Sequence, residues 1–89
     1  MLTASVAVWF LVVNITFPTV SGMNVHSESP TFDFGACVNA GASAWRGFYQ
    51  RYSNCAYPVN VDIKCVQYLD GVAGNYRTVY CDKNNHCYY

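Results

Sequence analysis

Apolar and polar residues alternate without a break through Val59-Asn60-Val61-Asp62-Ile63-Lys64-Cys65. A period of two sends successive side chains to opposite faces of a strand, so Val59, Val61, Ile63 and Cys65 share one inward face. Three of these four are β-branched, which suits a pleated, half-buried surface. Pro58 stands at the start of the run, where no ladder donor is needed, and the strand is expected to continue to Leu69. Asp70-Gly71-Val72-Ala73-Gly74-Asn75 reads as a turn by composition. Tyr76 to Cys81 is then the returning strand, Asp82-Lys83-Asn84-Asn85 turns again, and His86 to Tyr89 adds a short edge strand.

Residues 44–54 support two patterns. Ala44, Trp45, Phe48, Tyr49 and Tyr52 fall on one helical face, opposite Arg46, Gly47, Gln50 and Arg51, with Ser43 as a candidate N-cap. Gly47 and four aromatics are poor helix formers, and reading on through Ser53-Asn54-Cys55 gives a strand running into a turn. The strand or hairpin is preferred. The expected fold is mainly β, a small disulfide-stapled antiparallel sandwich or meander. The alternative is an α+β arrangement with a short helix at about 43–52.

The N-terminus has a different texture. The first 13 residues carry no charged side chain, and the apolar run Val6 to Val13 is broken by Asn14, Thr16 and Pro18. That run is too short to cross a hydrocarbon core, which needs roughly 20 apolar residues. It has the length of the apolar core of a secretory leader. Val20 and Gly22 supply the small residues of a cleavage site before Met23, and a cut after Ser21 fits nearly as well. The leader lacks Lys and Arg, which leaves the α-amino group as its positive charge. The expected organisation is therefore a leader over 1–22, a polar, mobile arm over 23–32 that includes Pro30, and one domain over 33–89. A secreted, extracellular protein follows, with no membrane insertion once the leader is removed. The sequon Asn14-Ile15-Thr16 lies within the leader.

All ten charged side chains lie beyond the expected cut and balance to zero. A neutral domain lacks the basic footprint that drives phosphate binding by counterion release, which excludes nucleic acid as the expected partner. It equally lacks the charge for adhesion to an anionic membrane surface.

A domain this small buries only about 60% of its unfolded surface. Five cysteines, Cys37, Cys55, Cys65, Cys81 and Cys87, offer disulfides in compensation. Cys65 and Cys81 are equidistant from Ala73, the centre of the expected 70–75 turn, and would face each other in that hairpin. Cys37 and Cys55 are equidistant from Arg46. The preferred set is Cys37–Cys55 and Cys65–Cys81, with Cys87 unpaired. The runner-up joins Cys65 to Cys87 and frees Cys81. An odd cysteine in a secreted protein points to a disulfide-linked homodimer, a bond to a partner, or a buried thiol.

No constellation for catalysis stands out. His26 and His86 are the only histidines, and Cys87 beside His86 would point to the opposite face of a strand. Cys81, His86, Cys87 and Cys65 are zinc-type ligands, but secretion favours their oxidation. Asp62, Asp70 and Asp82 lie on an outward strand face or in turns, without the fixed cleft that paired carboxylates need for glycoside hydrolysis. The expectation is a protein that is no enzyme and uses no cofactor or metal.

Aromatic content is the strongest compositional signal. Beyond residue 22 the chain holds eight tyrosines, three phenylalanines and one tryptophan. So small a domain cannot bury twelve rings, so several are expected on the surface, where Tyr, Trp and Arg dominate binding hot spots. The candidate binding residues are Trp45, Arg46, Phe48, Tyr49 and Tyr80.

At Cys37-Val38, Trp45-Arg46, Asn54-Cys55-Ala56 and Val59-Asn60-Val61 the chain resembles the tendamistat-type α-amylase inhibitors, over residues 37–69. These are small secreted β-sandwiches with two disulfides. The resemblance implies inhibition of a glycosidase, with Trp45 and Arg46 inserting from a hairpin tip into the enzyme's cleft. Gly47 stands where that family has a tyrosine, the loop is longer, and the fifth cysteine has no counterpart. In overall form the chain also resembles small secreted, cysteine-containing effector and toxin proteins of host-associated organisms. That likeness implies non-catalytic binding to an extracellular or host protein or glycan. A third expectation is an extracellular structural protein cross-linked through Cys87.

Overall fold

The structure is a computed structural model that describes residues 7–89. Its elements, in chain order, are β1 (Ala7–Thr16), β2 (Val25–Thr31), α1 (Phe34–Tyr52), β3 (Asn60–Leu69), β4 (Val72–Thr78), β5 (Tyr80–Cys81) and β6 (Cys87–Tyr88). The protein is mainly β, as expected. Four strands form one antiparallel sheet in the order β2-β1-β3-β4, and β5 and β6 form a separate two-stranded hairpin. The second layer of the fold is the helix, rather than the second sheet of a sandwich. The trace is 15 Å through its thinnest direction, one sheet plus one helix.

β3 starts one residue after the expected Val59 and ends at the expected Leu69, and Ile63 and Cys65 are buried. Its register with β1 pairs Leu11 with Cys65, Val13 with Ile63 and Ile15 with Val61. Side chains directly opposite share a face, so the odd-numbered positions of both strands point toward α1. Their packing forms the core with Cys37, Val38, Trp45 and Val79.

β1 is the apolar run expected as the core of a leader, and in the fold it is a central strand bonded to β2 on one side and β3 on the other. An unbroken apolar run suits a strand flanked on both sides as well as it suits a leader. Residues 1–6 of the expected leader lie outside the described residues. The expected cut at Val20-Ser21-Gly22 falls in the turn between β1 and β2, where Ser21 and Gly22 are exposed and Gly22 has φ +83°.

Residues 23–32, expected as a mobile arm, instead contain β2. The strand has almost no apolar side chains of its own, and what orders it is the backbone ladder to β1 from Thr31 opposite Trp9 to Val25 opposite Ile15. The Thr31 hydroxyl adds a hydrogen bond to the Trp9 carbonyl at 2.7 Å.

Residues 44–54, preferred as a strand or hairpin, are instead largely the second half of a 19-residue helix. Its N-cap is Asp33, ten residues before Ser43. Asp33 is extended, and its Oδ1 accepts from the Ala36 amide at 2.7 Å. Cys37, Val38, Gly41 and Trp45 make the buried stripe. Burial of this stripe outweighs the poor propensity of the glycines and aromatics. Gly41 permits close approach: a Cβ there would meet the Val79 side chain at 3.1 Å.

The disulfides also differ from expectation. They join Cys37 to Cys65 and Cys81 to Cys87, and the free cysteine is Cys55, not Cys87. The reason lies in the β3–β4 turn. Asp70 and Gly71 both have positive φ, +51° and +83°, and close a two-residue hairpin with Leu69 opposite Val72. The turn is thus centred earlier than Ala73, and the residue opposite Cys65 is Arg77 rather than Cys81. Cys65 instead points at the first turns of α1, where Cys37 lies with a Cα–Cα distance of 5.9 Å. Closing that 28-residue span contributes about 3.5 kcal/mol by chain entropy.

Candidate binding surface

The helix and the β5–β6 hairpin gather the aromatic residues at one end of the molecule. Trp45, Phe48, Tyr49 and Tyr52 recur at helical spacing along α1. Trp45 is buried, 6% exposed, and its indole N–H donates to the Val79 carbonyl at 2.7 Å. The Tyr49 hydroxyl donates to the Cys81 carbonyl at 2.5 Å. These two bonds fix the backbone on either side of Tyr80. Val79 itself is anchored to the sheet by its amide, which donates to the Ile63 carbonyl at 2.8 Å.

The hairpin is held at both ends. The Cys81–Cys87 disulfide closes a six-residue separation across the β5–β6 pair. In the turn, Asp82 Oδ1 accepts from the amides of Asn84 and His86, each at 2.9 Å, and Asn85 takes the left-handed conformation at φ +66°. Asx bonding of this kind is a common turn device. Tyr80 and Tyr88 are opposite one another in the pair, with rings stacked at 6.3 Å and 22°. Tyr80 also meets Trp45 edge-on at 5.3 Å.

The rings continue inward and along the helix. Trp45 contacts Phe48 at 5.6 Å, Phe48 contacts Tyr52 at 5.5 Å, and Tyr52 contacts Phe17 at 5.7 Å. Each is in the range where aromatic pairs add about 0.5–1.5 kcal/mol beyond burial. At the outer end of this chain Tyr80, Tyr88 and Tyr89 are 49%, 59% and 64% exposed. Tyr80 and Tyr88 form a stacked, exposed pair backed by the buried Trp45, and Tyr89 follows Tyr88 beyond the paired strand. The phenol of Tyr49, beneath the pair, is pushed above its usual range, first by burial and then by the neighbouring Tyr80 and Asp82.

Of the candidate residues read from sequence, Trp45, Phe48, Tyr49 and Tyr80 come together here. Their roles differ from expectation. Trp45 lies mid-helix inside the core and not at a hairpin tip, so it cannot insert into an enzyme's cleft from this fold. Phe48 and Tyr49 are half-buried supports. Arg46 is exposed on the helix and forms no part of the aromatic chain. The candidates read from sequence omit Tyr88, which the structure stacks on Tyr80; the signal for it was the symmetric flanking of Cys81 and Cys87 by Tyr80 and Tyr88.

A second feature is an open groove of about 490 Å³ between α1 and the ends of β1 and β2, lined by Ile15, Val25, Phe48, Arg51 and Tyr52 among others. It adjoins the inner end of the aromatic chain. Among the described residues no group of three or more His, Cys, Asp or Glu side chains could hold a metal ion. None of the residues of the tyrosine pair or its Trp45 and Tyr49 supports belongs to β1. Comparison with protein-family models, with curated proteins and with solved structures finds no match to the chain.

Proposed function

We propose that the protein is an extracellular, effector- or toxin-like binding protein that recognises a macromolecule of a host or competitor through Tyr80 and Tyr88. The observation that carries this reading is the immobilised pair Tyr80–Tyr88, exposed on a disulfide-clipped hairpin and backed by Trp45. Tyrosine offers a large amphipathic contact at low entropic cost, and rings already held in place lose little more on binding. Two disulfides in so small a chain support an oxidising compartment. In this reading the recognition is non-catalytic, made by contact of the exposed rings.

The test compares the oxidised protein with a Tyr80→Ala/Tyr88→Ala variant for retention on immobilised insoluble polysaccharides and on host cell-surface preparations. Far-ultraviolet circular dichroism checks that the variant is folded. A surface that retains the parent protein at least tenfold better than the variant is the expected result. If no surface distinguishes the two, the proposal fails.

A further inference from the structure

The sheet has a second face, and neither α1 nor the β5–β6 hairpin covers it. The even-numbered positions of β1 and β3 point there, in rows fixed by the register. One row runs Pro30, Phe10, Val66, Tyr76, and the next toward the β3–β4 turn adds Val8 and Tyr68. Phe10 and Tyr68 touch edge-on at 5.1 Å, and a hollow of about 300 Å³ opens beside them, lined by Val8, Phe10 and Tyr68 with Glu28, Asp70 and Gly71 at its rim. In the opposite direction the rows turn polar: Glu28, Val12, Lys64, Thr78, then His26, Asn14, Asp62. One end of the face is therefore apolar and the other charged.

We infer that this face is the contact between two copies of the chain, related by a two-fold axis that runs parallel to the strands between β1 and β3. Three observations select that arrangement. The first is the apolar run of β1, which turns the half-buried Phe10 and the buried Val12, shielded by its neighbours within the sheet, away from the helix while Leu11 and Val13 face it. A sheet apolar on both sides needs a layer on both sides. The second is the order of the rows. An axis along the strands lays each row on its own copy, so Phe10 meets the partner's Val66 and Pro30 meets the partner's Tyr76. An axis across the strands would press the apolar rows onto the charged ones. The third is charge. With the axis along the strands, β2 lies over the partner's β4 and next to its β3. Glu28 and Lys64, which pair within each copy with His26 and Asp62, then also adjoin each other across the axis, so opposite signs meet in that row.

The area is at the small end for a specific contact. Two ten-residue and two seven-residue strands, at about 3.3 Å per residue and about 4.8 Å apart, give a face on the order of 540 Å². Two such faces reach about 1,100 Å², just above the roughly 1,000 Å² that a specific interface needs. Aligned sheets pack in this way in sandwiches, at about −30°. The contact uses no cysteine, and it leaves the Tyr80–Tyr88 surface free, because that surface is carried with α1 on the far side of the sheet.

The experiment is sedimentation equilibrium of the full, oxidised chain over a dilution series, with its intact mass measured first. A reversible dimer is expected. Glu28→Lys alone and Lys64→Glu alone should each weaken it at least tenfold, because each places like charges across the axis. The double variant recreates both pairs with reversed sign and should return to within about threefold of the parent. Tyr68→Glu should give monomer with an unchanged circular dichroism spectrum. A parent that stays monomeric at every concentration, a double variant no better than either single one, a parent that partitions onto neutral phospholipid vesicles instead of dimerising, or a mature protein that lacks residues 7–16 would each overturn the inference. None of these outcomes affects the polysaccharide and cell-surface test, which reads a different face.

Discussion

The indole of Trp45 and the carbonyl of Val79 are joined by a buried hydrogen bond of 2.7 Å that ties the middle of α1 to the segment between β4 and β5. Replacing Trp45 by Phe keeps most of the ring volume and leaves the Val79 carbonyl unsatisfied. The expected cost is about 1–3 kcal/mol in a urea unfolding curve. Trp45→Ala adds a cavity and should cost about 3–5 kcal/mol.

The covalent frame can be read directly. Peptide mapping without reduction should recover Cys37 linked to Cys65 and Cys81 linked to Cys87, and maleimide should label Cys55 alone. Replacing Cys37 and Cys65 by Ser should lower stability by about 3 kcal/mol or more, against about 2 kcal/mol for the shorter Cys81–Cys87 loop.

Two glycines of the same helix should respond with opposite signs. A Cβ at Gly41 would press on the buried Val79 at 3.1–3.3 Å, so Gly41→Ala should destabilise by about 1 kcal/mol despite the better helix propensity. At Gly47 nothing lies within 4 Å of an added Cβ. Gly47→Ala should stabilise by about 0.5–1 kcal/mol. Thermal melting of both variants measures the contrast.

Tyr49 predicts an alkaline limit. Burial, followed by Tyr80 and Asp82, raises its folded value above the unfolded value near 10. Its contribution is complete below the unfolded value. As pH rises past 10 the unfolded state loses its proton first, so stability falls until the folded phenol also ionises. Urea midpoints measured against pH should decline above 10 in the parent, and less steeply in Tyr49→Phe.

Removal of residues 1–22 takes β1 out of the sheet and separates β2 from β3. A chain that starts at Met23 keeps both disulfides but loses the side chains of Val12 and Ile15 from the interior, worth together at least about 3 kcal/mol. A lower melting temperature and binding of a hydrophobic dye are the expected readouts. Equal melting temperatures for the two chains would show that β1 adds nothing to stability.

Sequence periodicity was informative where a single face decides the structure. β3 was legible because Val61, Ile63 and Cys65 alternate with polar residues, and Asp82 to Asn85 was legible as a turn. The helix was obscured because Gly35, Gly41 and Gly47 break its propensity, although Cys37, Val38, Gly41 and Trp45 already stood at helical spacing behind Asp33. β2 was invisible because its order comes from backbone pairing, which leaves no trace in the side chains of His26 to Thr31. The disulfide pairing went astray over one turn. Asp70-Gly71 is a compact hairpin signal by itself, and spreading the turn to Asn75 moved its centre and brought Cys81 opposite Cys65. At the site, aromatic content predicted exposed rings, but only the fold shows why Trp45 is buried while Tyr88 stays exposed.

The sheet register pairs Ala7 with Leu69. The two central strands thus come from opposite ends of the polypeptide, and the sheet cannot close until most of the chain has been synthesised. Such non-local pairing is slow to form. Until it forms, the apolar run from Val8 to Val13 is an unprotected edge open to association with other nascent chains. Folding should therefore be sensitive to how soon the C-terminal half emerges during synthesis.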